Sequence, residues 1–229
     1  MTASLSIGFL LFPKLTQLDF TGPYEVMSRL PGAEVRLIWK EAGPVRADTG
    51  LTMMADTAMA ECPQLDILCV PGGPGVAGLM EDDAVLGFLR AQAPGLRYLT
   101  SVCTGALVLG AAGLLRGRRA TTHWASHDFL AAFGAVPVEA RVVQDGNLVT
   151  GGGVTAGVDF ALTIAAEIAG PEAAQAIQLQ IEYAPAPPFN AGRPETAPAS
   201  VLEAARTRGA GMRAEREALV QRVAARLTA

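Results

Sequence analysis

Cys103 occupies a position that is typical of a reactive nucleophile. Residues 97–100 predict a β-strand and residues 105–115 predict a helix of mostly small side chains, so the thiol falls at the sharp turn between them. A nucleophile at a strand–turn–helix junction is a nucleophile elbow, best known with serine in the pattern G-x-S-x-G. Here cysteine takes the place of the serine, and Ser101 replaces the first glycine.

The predicted elbow places this thiol at a helix N-terminus, where unpaired backbone N–H groups and partial positive charge stabilise an anion. We therefore expect the pKa of Cys103 to be lowered and the reactive thiolate to be favoured. The alternative is that Cys103 is a buried, inert side chain, as most free cysteines are. Its position at the turn favours the functional interpretation.

A glycine-rich loop follows another predicted strand. Residues 66–70 form an apolar run typical of a central strand, and they lead into Pro-Gly-Gly-Pro-Gly at positions 71–75. At the carboxyl end of a parallel strand such a loop brings backbone N–H groups against a ligand, and Gly72 and above all Gly73 are the candidate donors. An ordinary turn is the alternative. The loop lacks the residues of a phosphate loop, since no Gly-Lys-Ser/Thr follows it.

Strands and helices alternate along most of the chain, which predicts an α/β three-layer sandwich with a mostly parallel, flavodoxin-like central sheet. The predicted strands are 5–12, 34–40, 66–70 and 97–100, with hairpins at 45–54 and 141–150; the predicted helices are 22–30, 81–93, 125–133, 155–169 and 171–183. We expect an α/β domain over residues 1–183. Residues 184–229 then form an extension, with a proline-rich arm and helices interrupted at Gly209-Ala210-Gly211, that packs on the domain or on a dimer partner.

Charge and cysteine content argue against several classes of protein. The 229 residues include 18 basic and 22 acidic side chains, for a net charge of −4, so there is no electrostatic case for binding nucleic acid. Three cysteines do not suggest a disulfide framework, and a reducing cytoplasm is expected. No signal peptide is expected, and no apolar run approaches the ~20 residues that a membrane span requires.

Two motifs together resemble the ThiJ/PfpI superfamily, which has a class I glutamine amidotransferase-like fold. They are Val-Pro-Gly-Gly at positions 70–73 and SVCTGALVLGAAGLLRGRRATTHW at positions 101–124, and the resemblance covers nearly all of residues 5–169. The opening FLLFPKLTQLDFTGPYEV at positions 9–26, with Cys-Thr-Gly at the elbow, is similar to the isonitrile (isocyanide) hydratases of that superfamily. Thr104 stands where the peptidases have histidine, and Asp19 where deglycase-type and chaperone-type members have glutamate.

This resemblance implies a lyase that adds water to an isonitrile and releases an N-substituted formamide. Cys103 would attack the isonitrile carbon and form a covalent thioimidate, while Asp19 would supply the proton. We expect a raised pKa for Asp19, and a protonated carboxyl when Cys103 is a thiolate. Thr104 would orient substrate or water, and Gly72, Gly73 and Thr104 would bind the substrate. For Asp19, a helix N-cap before Gly22 is the alternative role.

The resemblance further implies a homodimer that needs no cofactor and no metal. Its binding partner, apart from the second subunit, is the small-molecule isonitrile substrate. His123 and His127 have the i, i+4 spacing of some zinc sites, but a structural role for His123 beside Trp124 is favoured. Regulators of the AraC type share the same core, yet residues 170–229 are too few for their helix-turn-helix region. Two alternatives stay open: a cysteine-dependent glyoxalase or deglycase, and a non-enzymatic homodimer that senses oxidants through Cys103.

Overall fold

The computed structural model describes residues 4–228 and confirms the predicted α/β sandwich. Within these residues seven strands form the main sheet in the order β10-β11-β7-β6-β1-β2-β5, parallel except for the β10–β11 hairpin. These strands are β1 (Leu5–Leu10), β2 (Ala33–Trp39), β5 (Thr57–Ala58), β6 (Ile67–Val70), β7 (Tyr98–Val102), β10 (Val142–Asp145) and β11 (Leu148–Gly151). The hairpin of β3 (Gly43–Arg46) and β4 (Thr52–Ala55) and the pair β8 (Arg119–Ala120) and β9 (Val136–Pro137) lie outside it.

Helices cover both faces of this sheet. They are α1 (Gln17–Met27), α2 (Val76–Leu79), α3 (Asp83–Gln92), α4 (Gly105–Ala111), α5 (Ala156–Ala169), α6 (Pro171–Gln180) and α7 (Ala199–Thr228). Short 3₁₀ helices occur at Met59–Glu61 and Ala93–Gly95, and a longer one at Trp124–Phe133. Helices α1, α5 and α6 pack together on one face, whereas α2, α3, α4, α7 and the long 3₁₀ helix pack together on the other.

The three central strands β1, β6 and β7 explain where a site can form. They are parallel neighbours, with Phe9 beside Cys69 and Val70 beside Ser101. Because parallel strands end at the same edge, the segments that follow β1, β6 and β7 meet there. Those segments carry Asp19, the glycine-rich loop and Cys103.

Helix α1 begins earlier than the sequence predicted. It starts at Gln17 with Thr16 as its N-cap, so Asp19 lies in the first turn and the N-cap interpretation of Asp19 is wrong. Pro23, which would fall in the first turn of the predicted helix 22–30, lies in the helix interior. The ring of Pro23 packs closely against Gly157 of α5, where a Cβ atom would lie 2.6 Å from its Cδ. Because proline has no N–H, Pro23 removes one hydrogen bond from the helix. Its ring makes this tertiary contact with Gly157 at the same position.

The C-terminal helix also differs from the prediction. The interruption expected at Gly209-Ala210-Gly211 is wrong, since α7 continues through it as 30 helical residues. A glycine in a helix costs about 1 kcal/mol relative to alanine, which a long helix tolerates. The buried face lies in the second half of α7, at Leu219, Val220 and Val223.

Among the described helices, none has both the length and the apolar character that crossing a membrane requires.

Candidate active site

Cys103 forms a strained turn between β7 and α4. Its φ angle is +53°, in the left-handed region that residues with a side chain seldom adopt. The Cys103 N–H donates a 3.0 Å hydrogen bond to the carbonyl of Gly151, which fixes the turn against β11. The next helix begins at Gly105, where a side chain would collide with the carbonyl groups of Val70 and Pro71. The predicted nucleophile elbow is confirmed as a backbone conformation.

The loop after β6 closes around the elbow because its glycines leave room for two other side chains. A Cβ atom on Gly72 would lie 2.6 Å from the Thr104 nitrogen, 2.7 Å from Thr104 Oγ1 and 2.8 Å from Asp19 Oδ2. Gly73 has a φ angle of +129°, which only glycine adopts with ease. The structure therefore brings together five residues that the sequence singled out: Asp19, Gly72, Gly73, Cys103 and Thr104.

Asp19 is a carboxyl group held away from water. It is fully buried, and its Oδ2 accepts a 2.9 Å hydrogen bond from the N–H of Gly72. The Cys103 thiol is its other close polar neighbour. Burial raises the pKa of Asp19 to about 7, and the charge of Asp48 adds to the rise, while the bonds to Gly72 and Cys103 oppose it. The raised pKa expected for Asp19 is confirmed.

Thr104 links the elbow to the glycine-rich loop. Its hydroxyl oxygen accepts a 3.0 Å hydrogen bond from the N–H of Gly73, and its backbone N–H and hydroxyl both interact with the sulfur of Cys103. The two N–H groups predicted to bind substrate therefore have protein partners, Asp19 for Gly72 and Thr104 for Gly73. Here they orient the side chains around the thiol, and the Thr104 N–H donates to the sulfur.

The thiol does not have the lowered pKa that the elbow predicted. Burial raises the pKa of Cys103, the charge of Asp19 raises it further, and the Thr104 N–H, the Thr104 hydroxyl and Arg216 lower it. Only 7% of Cys103 is exposed, so loss of hydration outweighs the helix N-terminus. Asp19 and Cys103 therefore form a coupled pair in which the negative charge of one disfavours that of the other.

The remaining cysteines and histidines have structural surroundings. Cys69 is fully buried in β6, where burial raises its pKa to about 12, and Cys62 is half-buried. His123 precedes the 3₁₀ helix, and its Nδ1 accepts a 3.3 Å hydrogen bond from the N–H of Ala125. Its ring lies 5.5 Å from that of Trp124, as its structural interpretation predicted. Over residues 4–228, no three His, Cys, Asp or Glu side chains gather as a metal site.

Two residues that the sequence did not single out act on Cys103. The Thr122 hydroxyl donates a 2.5 Å hydrogen bond to the carbonyl of Cys103. Arg216, on α7, lies near enough that its charge lowers the pKa of Cys103. Residues 184–229 were expected to pack on the domain or on a dimer partner, and Arg216 lies one turn before the buried Val220. That spacing was the available signal.

A cavity of about 720 Å³ opens beside the elbow. Its lining includes Thr122, His123, Gly152, Gly153 and residues 192–195 of the proline-rich arm. Cys103 is not part of its lining. Thr122 borders the cavity and also bonds to the Cys103 carbonyl, so this residue connects the cavity wall to the elbow.

Comparison with known proteins gives four findings. The model of the DJ-1/PfpI family matches residues 5–167. The chain is 58% identical over 224 residues to an isonitrile hydratase of Pseudomonas putida, with 98% of each chain covered. Among solved structures, a ThiJ/PfpI family protein from Pseudomonas syringae superposes with a TM-score of 0.93 at 42% identity, covering 95% of this chain and 91% of that one. Drosophila melanogaster DJ-1beta superposes with a TM-score of 0.72 at 27% identity, covering 80% and 100%.

Proposed function

The chain belongs to the DJ-1/PfpI family, and we propose that within this family it is an isonitrile hydratase that converts an isonitrile and water into an N-substituted formamide. The observation that carries the proposal is the buried pair of Asp19 and Cys103, in which burial raises the pKa of the carboxyl to about 7. Such a pair offers one nucleophile and one proton. The near full-length similarity to the Pseudomonas putida isonitrile hydratase supports the same substrate class.

The first step needs both members of this pair. The terminal carbon of an isonitrile, R–N≡C, accepts a nucleophile and must also gain a proton. Cys103 attacks that carbon as a thiolate while Asp19 donates its proton to the same carbon, which gives the thioimidate R–N=CH–S–Cys103. Asp19 is left as a carboxylate. Covalent catalysis of this kind divides one difficult addition into two easier steps.

The second step returns both residues to their starting state. Asp19, as a carboxylate, accepts one proton from a water molecule whose oxygen adds to the thioimidate carbon, and the nitrogen then takes the proton of the new hydroxyl group. The carbon–sulfur bond then breaks, which releases the formamide R–NH–CHO and the Cys103 thiolate. The Thr104 N–H, which interacts with the sulfur, stabilises this leaving thiolate. Each cycle consumes one isonitrile and one water.

Gly72 and Gly73 position these groups in the proposed mechanism. The Gly72 N–H holds Asp19, and the Gly73 N–H holds the Thr104 hydroxyl. That hydroxyl also donates a 3.4 Å hydrogen bond to the Gly73 carbonyl, so it directs its proton towards the sulfur, the substrate or the attacking water when it leaves this acceptor. Either N–H group can contact substrate only after it releases its protein acceptor. Thr104 is therefore the first of these residues to contact substrate.

We also propose that the protein is a cytoplasmic homodimer in which residues 184–229 extend the α/β domain. Leu179, Phe189 and Val201 are large apolar side chains that are 81%, 78% and 52% exposed, and they follow one another along α6, the arm and the start of α7. A second copy of the chain would cover them. The three free cysteines suit a reducing compartment. A monomer by light scattering would overturn the dimer.

The decisive experiment measures formamide released from cyclohexyl isonitrile by the native protein, Cys103→Ala and Asp19→Asn. We expect turnover by the native protein, none by Cys103→Ala and a loss of at least about a hundredfold in Asp19→Asn. In acid-quenched reactions the peptide containing Cys103 should gain the mass of one isonitrile. If the native protein makes no formamide but consumes methylglyoxal, it is a glyoxalase or deglycase instead.

A further inference from the structure

The loop that joins β1 to α1 lies between the glycine-rich loop and the β3–β4 hairpin. On one side, the N–H of Gly75 donates a 3.1 Å hydrogen bond to the carbonyl of Lys14. On the other side, the N–H of Lys14 donates to the carbonyl of Arg46 at 2.8 Å, and the N–H of Asp48 donates to the carbonyl of Leu15 at 3.0 Å. The hairpin lies outside the main sheet, but these bonds join it to the segment that leads into α1.

Thr16 forms a closed ring of three hydrogen bonds with Gly72 and Asp19. The Thr16 N–H donates to the carbonyl of Gly72 at 2.9 Å, and the Gly72 N–H donates to Asp19 Oδ2 at 2.9 Å. The Asp19 N–H then donates to the carbonyl of Thr16 at 3.0 Å. A Cβ atom on Gly73 would lie 2.5 Å from the Thr16 nitrogen, so the glycine-rich loop packs tightly against the ring. The place of the Asp19 carboxyl therefore depends on the place of Thr16.

The side chain of Thr16 is used for a contact outside its own helix. Thr16 is the N-cap of α1, a position where a threonine hydroxyl commonly accepts a hydrogen bond from a helix N–H. Here it makes no such bond, and the hydroxyl donates instead to Oδ2 of Asp48 at 2.9 Å. A hydrogen bond to a carboxylate is stronger than one between neutral groups. This bond ties the ring of Thr16, Gly72 and Asp19 to the hairpin.

We propose that Thr16 and Asp48 are positioning residues, whose hydrogen bond holds the Asp19 carboxyl in place beside the Cys103 thiol. The β3–β4 hairpin is then a part of the active site, although none of its side chains contacts the reacting atoms. A group that transfers a proton loses rate steeply when it is displaced, since the transfer requires close contact. This inference deepens the proposed function, on which it rests for the role of Asp19 in turnover.

The first test measures formamide release from cyclohexyl isonitrile by the full-length native protein, Thr16→Val, Asp48→Ala and the double variant. We expect kcat to fall about ten- to a hundredfold in each single variant, because Asp19 is displaced from the reacting atoms. KM should change by less than about twofold, since neither residue binds substrate. The double variant should lose no more than a single variant, because both changes remove the same hydrogen bond. Losses that multiply in the double variant would overturn the proposal.

The chain offers a matched control in Thr57. It is half-buried, as Thr16 is, and its hydroxyl donates a 2.7 Å hydrogen bond to Oδ1 of Asp56, but it lies in β5 at the edge of the sheet. Thr57→Val should keep the native kcat, and so should Thr16→Ser, which retains the hydroxyl group. An equal loss in Thr57→Val and Thr16→Val would show that any such threonine matters and would remove the special role of Thr16.

The second test needs no isonitrile. Amide hydrogen exchange, followed by NMR, is compared at Thr16, Asp19 and Gly72, with the amides of β11 as the internal reference. We expect exchange at these three amides to be several-fold faster in Thr16→Val and Asp48→Ala, and unchanged in Thr57→Val. If Thr16→Val does not fold, Asp48→Ala carries the test, because Asp48 is exposed.

The two tests together separate this inference from the proposed function. Native exchange rates in both Thr16→Val and Asp48→Ala would overturn the inference, even in a protein that makes formamide. Faster exchange in a protein that makes no formamide would support the link between the hairpin and the Asp19 carboxyl, and the isonitrile hydratase proposal would be lost.

Discussion

The N–H of Gly72 donates a hydrogen bond of 2.9 Å to the Oδ2 of Asp19, across 53 positions of the chain. This bond joins the loop after β6 to the first turn of α1. It supplies the fully buried Asp19 carboxyl with one donor, which only partly replaces the water that was lost. Asp19 is therefore held in place at a cost in stability, and this cost can be measured.

Replacing Asp19 with asparagine should stabilise the protein at high pH. The folded-state pKa rises from 3.8 to about 7, so between about pH 4 and 7 the folded protein holds a proton that the unfolded chain has lost. Stability is therefore full below about pH 4 and falls as the pH rises to about 7. Asp19→Asn lacks this loss, and three pKa units correspond to at most about 4 kcal/mol.

Urea unfolding of both proteins from pH 4 to 8 measures this difference in the free energy of unfolding. The stability gained by Asp19→Asn should be largest at pH 8 and should shrink towards pH 4. A variant that is less stable than the native protein at pH 8 would contradict the prediction, since it would mean that the ionised carboxyl stabilises the fold.

The same substitution should also make the thiol more acidic and the enzyme slower. Removal of the Asp19 charge removes a cause that raises the pKa of Cys103. Alkylation of Cys103 at neutral pH should therefore accelerate several-fold in Asp19→Asn, while formamide release is lost because no proton donor remains. Slower alkylation together with slower turnover would instead point to general damage at the elbow.

Thr104 allows a paired test of one hydroxyl group. Thr104→Val keeps the shape of the side chain but leaves the buried N–H of Gly73 without its acceptor, at a cost of about 1–3 kcal/mol. It also removes the hydroxyl that interacts with the Cys103 sulfur. We expect lower thermal stability and lower turnover in Thr104→Val, and near-native values in Thr104→Ser. Equal losses in both variants would assign the effect to packing.

The sequence predicted most of the sheet and the elbow because these depend on local patterns. Apolar runs marked β1 and β6, and the small residues after Cys103 marked a tight turn that the φ angle of +53° confirms. The start of α1 could not be obtained in the same way. Pro23 is a strong local signal for a first turn, but the chain is helical from Gln17, and close packing against Gly157 accompanies Pro23 in the interior.

The pKa shifts at the site could not be predicted from local sequence patterns. The sequence places Cys103 at a helix N-terminus, which predicts a lowered pKa, but it does not give the degree of burial that reverses the direction. It also gives no sign that Asp48 acts on Asp19 or that Arg216 acts on Cys103, since those residues are far apart in the chain. These influences depend on distances in space.

The continuous helix α7 leads to a prediction at its two glycines. A Cβ atom on Gly209 or Gly211 would meet nothing within 4 Å, and neither residue has a positive φ angle. Gly209→Ala and Gly211→Ala should therefore each stabilise this helix by about 1 kcal/mol. Amide hydrogen exchange over residues 199–215 should slow in both variants. Unchanged or faster exchange would indicate that the chain breaks at these glycines, as the sequence pattern first suggested.

The strained turn at Cys103 predicts that glycine at this position gives a more stable protein than alanine does. An alanine with a φ angle of +53° keeps the clash between its Cβ and the backbone, whereas glycine does not. Glycine also loses more chain entropy on folding, which offsets part of this gain. We expect Cys103→Gly to exceed Cys103→Ala in the free energy of unfolding by about 1 kcal/mol, although neither variant turns over isonitrile.

Ala106, three residues after Cys103, provides the opposite case. It lies in α4 with an ordinary helical conformation, so Ala106→Gly should lower the free energy of unfolding by about 1 kcal/mol. Urea unfolding of the three variants beside the native protein measures both differences. If Cys103→Gly is less stable than Cys103→Ala, the surroundings hold the turn without strain. In that case the thiol is positioned by its contacts with Thr104 and Asp19 and not by the backbone of the elbow.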